Sequence, residues 1–492
     1  VSAPRRRPAA SGRRALRLLT VYGAIGVATI VVVVGGSAAD PDYGTGRPWG
    51  GVAVDDLRSS PTETAWSLDL ASLLAPEAPA RCVHLWPSAA VDGLVAVTTS
   101  IDLDLEADVD LKADVLAAAA ECRDAALDHR TSRVALVDVD TGDVEWVHDL
   151  VADVPDADPS SIPAAQVVPS AGRVVVQTQS SRGPVQAALD IGDGGALETA
   201  RERRDLPSVS VATLGRLQLR TSSATGAGSD SYTLVDAGAL SSPVWRGRVD
   251  RGSTPLLVPG ALVVRVDGRA LRVDGRTGET SPYGSTPDSL VAAPDADHAA
   301  SASGGVFGLQ SGPGGQAASA LDGEGRPLWS SPLRARSITA TPSCLLATGA
   351  EGDAATCLRP EDGAVAWTAS PGESFTARAT PGQTSDDVYT IARRSGAARF
   401  VALDGGSGRD RFDVPTDDLE TVVAASRTVV YLSAGTSPQN RAVAAHDASS
   451  GRLLWTLRSA GTVAFWGGSL VEIDGLGVAR RLAGGSRLGA TS

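Results

Sequence analysis

Short runs rich in β-branched and apolar residues recur along most of this chain, and they lack helical spacing. Examples are "RVVVQTQ" (173–179), "ALVVRV" (261–266), "DVYTIA" (387–392) and "TVVYLS" (428–433). A Gly- or Ser-rich turn follows each, then a further apolar run, another turn, an alternating run and a Pro/Gly/Ser-rich loop. Apolar runs of this length bounded by turn formers read as strands. The predicted unit is a four-stranded antiparallel sheet repeated along the chain, an all-β architecture.

Self-comparison locates the repeat. Ala445, Asp447, Gly451 and Trp455 stand at intervals of two, four and four, and Ala402, Asp404, Gly408 and Phe412 copy them. Leu136, Asp138, Gly142 and Trp146 give a third copy. Ala320, Asp322 and Trp329 keep the pattern with one residue deleted, whereas Gly363 and Trp367 keep it with Arg359 in place of Asp. Weaker copies surround Asp190 and Asp274, and another ends at Trp245. Successive Asp positions lie about 44 residues apart, the length of one blade of a propeller.

The quartet has a structural logic. Alternate residues of a strand share a face, so the Ala and Asp point the same way. The small Ala admits a neighbouring blade, the Asp can accept amides of the following turn, and Gly supplies a positive φ. The Trp on the next strand then fills the wedge between blades. Read this way, the quartet is a docking device and not a chemical site.

This pattern resembles the tryptophan-docking repeat of the pyrroloquinoline-quinone (PQQ)-like β-propellers, over residues 63–486. The resemblance implies an eight-bladed ring, with seven or nine as alternatives. The segment "TAWSLDL" (64–70) is expected to supply the last strand of the ring, joining its two ends. The family includes quinoprotein dehydrogenases, which grip their quinone between a Trp and a disulfide of adjacent cysteines, beside calcium and an Asp base. No cysteine here is adjacent to another, so no residue carries over to those roles. There is no Gly-x-Ser-x-Gly elbow and no His-Glu-x-x-His, and the five histidines are scattered. The expectation is no catalysis, no catalytic or metal-binding residues and no cofactor. A quinoprotein oxidoreductase and a sensor module serving a separate signalling partner are the alternatives.

Charge and hydropathy add the compartment. Residues 1–39 hold six Arg and no acid, so a net charge of −13 becomes −19 beyond them. A body so acidic lacks the basic footprint that nucleic acid requires. Residues 18–36 carry no charge, and nineteen helical residues span about 28 Å, close to a hydrocarbon core of about 30 Å. The expected organisation is a basic cytoplasmic tail (1–17), a single-pass signal anchor (18–37), a flexible linker (38–62) and an extracytoplasmic propeller. The rival is a cleaved signal peptide, since Ser37, Ala38 and Ala39 are small.

Export permits disulfides, and the four cysteines allow three connectivities. Cys344 and Cys357 flank a Gly-rich turn on facing runs, and Cys82 precedes an insertion at 101–132 that contains Cys122, so local geometry favours 82–122 with 344–357. The insertion begins with alternating acids (Asp102, Asp104, Glu106, Asp108, Asp110), which read as a solvated strand face or a cation site, and continues as an Ala-rich helix carrying Cys122. Stapled to the rim, this flap is the expected contact for a protein or envelope-polymer partner.

Overall fold

Each blade has two kinds of strand. The second strand of the first blade, Leu94–Ile101, is buried at almost every position, whereas its fourth, Val144–Asp149, buries only Trp146. The inner strands are therefore packed on both faces by neighbouring blades, and the fourth strand is an edge with one inward anchor. The same holds at Trp367, Phe412 and Trp455, each the one buried residue of its fourth strand.

The computed structural model describes residues 52–484 apart from internal interruptions, the longest being 102–119, 126–132, 202–208, 223–230, 293–305 and 435–441. These residues form nine four-stranded antiparallel sheets. Eight are built from consecutive strands, from Val83–Pro87 to Leu453–Arg458. The ninth takes Thr462–Trp466, Ser469–Ile473 and Val478–Gly484 from the C-terminal end and Pro61–Asp69 from the N-terminal end, the last two pairing antiparallel. An apolar cluster lies in every seam between successive blades. The seam that closes the ring packs Val471, Ile473 and Ala479 of the ninth blade against Val95, Val97, Ala135 and Val137 of the first.

Nine blades correct the expected eight. Both degenerate copies, at Asp190 and Asp274, are complete blades, because other residues take over the docking position in each. Eight blades also share a register shift between third and fourth strands, for example at Ala402/Leu403 and Ala445/His446. One extra residue there re-aims the side chain that follows.

Two further expectations change. Cys344 and Cys357 are not bonded; both are free and buried. The register pairs Leu346 with Cys357 and Leu345 with Leu358, so Cys344 lies diagonal to Cys357 across the strands, not opposite it. The expected linker does not extend to residue 62. Asp55 N donates to Gly468 O (2.9 Å), Arg58 pairs with Asp447 (2.6 Å), and Leu57 is buried among Tyr431, Trp455 and Leu470. The expected anchor at 18–37 lies outside the described residues, among which no helix is long and apolar enough to cross a membrane.

Candidate functional site: docking seams and the flap groove

The side chain that each fourth strand sends into the next seam can be followed around the ring. Trp66 Nε1 donates to Val139 O (2.8 Å) with its ring against Gly142. Trp146 donates to Ile191 O (3.0 Å) over Gly194, Trp329 to Pro360 O (2.8 Å) over Gly363, and Trp367 to Gly405 O (2.7 Å) over Gly408. Phe412, with no N–H to place, lies against Gly451. The repeat Asp residues accept the amides of these turns: Asp138 from Asp140 and Thr141, Asp322 from Glu324 and Arg326, Asp404 from Ser407, Asp447 from Ser449 and Ser450. The Asp447 carboxyl sits well below the usual carboxylate range, held there by the Ser449 hydroxyl first and by Arg58 and Ser450 against the opposing effect of burial.

Three seams depart from this geometry. Trp245 comes nine residues after Asp236 instead of eight, and Val244, at the repeat position, meets the next turn glycine, Gly278. In the fourth blade Pro282 occupies the Trp position, and Tyr283, one residue on, lies against Gly325. In the second blade the position is Glu198, whose carboxylate accepts Leu240 N (2.9 Å) and Ser241 N (2.7 Å) of the third blade and is bridged by Arg173 (3.1 Å). Burial would raise that carboxyl, but the Ser241 hydroxyl and the two amides outweigh it and hold it below its ordinary value. Sequence spacing misses Glu198 and Tyr283 because it searches for an aromatic at one offset.

Trp455 also differs, donating to Leu57 O (2.7 Å) of the segment before the first strand. Tyr431 fixes that segment from beneath, donating to Asp55 O (2.5 Å) and accepting from Leu57 N (2.9 Å).

The flap is stapled beside the closing seam. Cys82 and Cys122 are bonded across a separation of 40 residues and are buried with Ile101 and Ala125. Residues 120–122 and 124–125 are helical, and Arg81 forms an ion pair with Glu121 on the outside. The acidic run Asp102–Asp110 lies outside the described residues, among which no three His, Cys, Asp or Glu side chains gather as a metal site. Next to the staple is a groove of about 400 Å³ between the first strands of blades one and nine, lined by His84, Trp86, Phe465, Trp466 and Asp474. Trp86 Nε1 is held by Ser100 (2.8 Å), whereas the buried Trp466 Nε1 has no hydrogen-bond partner among the described residues. Burial acts to raise the Asp474 carboxyl, yet the amides of Val478 and Leu476 and the Arg480 guanidinium keep it low and charged. This groove is a polar-rimmed aromatic trough. Among the described residues it holds no assembled nucleophile and base.

Nine four-stranded antiparallel blades, most of them clasped by a side chain set on the next turn glycine, define a β-propeller. Residues 313–466, from the fifth blade into the ninth, match the PQQ-repeat family model described as outer membrane protein assembly factor BamB. Among solved structures the chain is similar to BamB from Moraxella catarrhalis at 13% identity, over 81% of this chain and 84% of that one, TM-score 0.27. It is also similar to a quinohemoprotein alcohol dehydrogenase from Pseudomonas putida HK5 at 13% identity, over 90% and 82%, TM-score 0.41. Hsv2 from Kluyveromyces lactis is similar at 8% identity, over 60% and 98%, TM-score 0.34. No curated protein matches the chain.

Proposed function

We propose that this propeller is a membrane-anchored, extracytoplasmic scaffold that binds a protein or envelope polymer through the stapled flap and the groove beside it, without turning over a quinone. The observation that carries the reading is the Cys82–Cys122 bond. It fastens the end of a segment inserted into an otherwise regular repeat directly beside an aromatic groove. Ordering such a segment costs chain entropy, which a crosslink offsets. A native disulfide also belongs to an oxidising compartment, in keeping with export. The family description, an assembly factor, supports a scaffold role.

The test removes residues 102–121, leaves both cysteines, and compares partners captured by mild crosslinking in the native membrane with those of the intact chain. Loss of specific partners supports the flap as the contact, and an unchanged set refutes it. Dye-linked oxidation of alcohols or sugars after addition of PQQ and calcium would overturn the scaffold reading in favour of a quinoprotein.

A further inference from the structure

Beside its apolar cluster of Val175, Ala188, Val235 and Leu240, the seam between the second and third blades carries a set of amides. Gln166 and Gln177 face inward from the first and second strands of the second blade, and Gln186 stands opposite Gln177 on its third. Thr213 and Gln218 of the third blade both donate to Gln166 Oε1, the latter at 3.3 Å. Between these strands is a cavity of about 270 Å³ bounded by Ser161, Gln166, Gln177, Thr178, Gln179 and Gln186, with Val175 and Val211 as its apolar walls. Its mouth is marked by Ile162, which is 51% exposed. No charged side chain among the described residues lines it.

One buried amide of the lining is not fully paired. Gln186 is 4% exposed, yet its Oε1 has no hydrogen-bond partner among the described residues. Gln218, fully buried one hydrogen bond behind Gln166, has the same unanswered Oε1. Leaving such a buried acceptor unmade is costly, so each unsatisfied group calls for a donor. The volume is near the lower end of the roughly 300–1,000 Å³ usual for small-molecule sites, enough for about one sugar ring. Amide side chains pair a donor with an acceptor, and a hydroxyl offers both as well. An anion would find no positive side chain among the described lining residues, and a cation no counter-charge.

We propose that this seam is a binding site for a small neutral polyhydroxylated ligand, of the monosaccharide or cyclic-polyol class, with the Gln186 carboxamide hydrogen-bonding a ligand hydroxyl. The site is independent of the flap and its partner. The test is saturation-transfer NMR on the full-length chain with D-glucose, N-acetyl-D-glucosamine and D-glucuronate as probes. Saturable signals are expected for at least one neutral sugar, with glucuronate weaker. Gln186→Leu should weaken binding about three- to tenfold, the range of one hydrogen bond, without lowering the melting temperature. Val211→Phe should abolish binding by filling the cavity from the opposite wall, and it decides the matter if Gln186→Leu fails to fold. Absence of neutral-sugar binding, or binding that survives Val211→Phe, would overturn the assignment.

Discussion

Gly408 tests the docking geometry at a single atom. Its φ is +67°, and a Cβ added there would lie 2.5 Å from Trp367 Cδ2 and 2.7 Å from Cε3. Gly408→Ala therefore carries two penalties. The left-handed backbone costs about 1–2 kcal/mol for a residue with a Cβ. Overpacking against a ring that is itself buried and fixed by its bond to Gly405 O costs about 1–3 kcal/mol more. Gly396 in the same blade separates the two, since its φ is +82° and its Cβ would meet nothing within 4 Å. Gly396→Ala should lose only the backbone share. Calorimetric melting of both variants should thus place Gly408→Ala below Gly396→Ala, by about 1–2 °C per kcal/mol for a domain of this size. Adding Trp367→Ala completes a double-mutant cycle, in which the alanine at 408 should cost no more than the one at 396. Equal melting of the two single variants, or no coupling to Trp367, would refute the account in which the ring is seated on the turn.

Three other outcomes follow from particular contacts. Trp455→Ala should lose roughly 3–5 kcal/mol and raise amide exchange at 55–58, because Leu57 O loses its donor; parent-like melting and exchange would remove Trp455 from the seam. The Asp447 carboxyl is depressed in the folded state, so its stabilisation is fully present above the ordinary carboxylate value near pH 4 and is lost as the pH falls below it; Asp447→Asn should flatten that acid limb of the melting profile, and an unchanged limb would place the effect elsewhere. Thiol titration of unreduced, denatured protein should count two free cysteines per chain, Cys344 and Cys357, and a count of zero would restore the second disulfide.

Much of the ring was readable from spacing alone, because a docking quartet states both a strand register and a contact with the next blade. Trp146, Trp329 and Trp367 show the correspondence in full, each with its ring on a turn glycine that the repeat also marks. Spacing fails where the chemistry of docking changes. Glu198 clasps the next turn with charge-assisted hydrogen bonds, Tyr283 acts one residue late, and Val244 displaces Trp245 after a single insertion. Each is legible only in three dimensions, and discounting one of the two degenerate copies, at Asp190 or Asp274, makes nine blades look like eight. Cys344 and Cys357 show the opposite error. Facing runs suggest pairing, but a two-residue offset in register makes neighbours of thiols that are not partners. The groove joins strands from opposite ends of the chain, so no local pattern announces it.

The polar seam between blades two and three raises the question of how the ring tolerates it. In an open array each repeat is held only by its neighbours, and a seam with Glu198 for Trp and glutamines beside its aliphatics would be where the array parts. Buried acceptors without partners add about 1–3 kcal/mol each to that weakness. Here the array is closed. Pro61–Asp69 pairs along Val478–Gly484, and the segment before it is tied to the eighth blade by Tyr431, Trp455 and Asp447. To open one seam of a closed ring, the remaining blades must also bend or another seam must break, so the apolar seams hold the polar one shut. Closure thus frees one interface from carrying its own cohesion. That freedom allows an interface to keep unanswered hydrogen-bonding groups, and a ligand site inside a structural seam requires them.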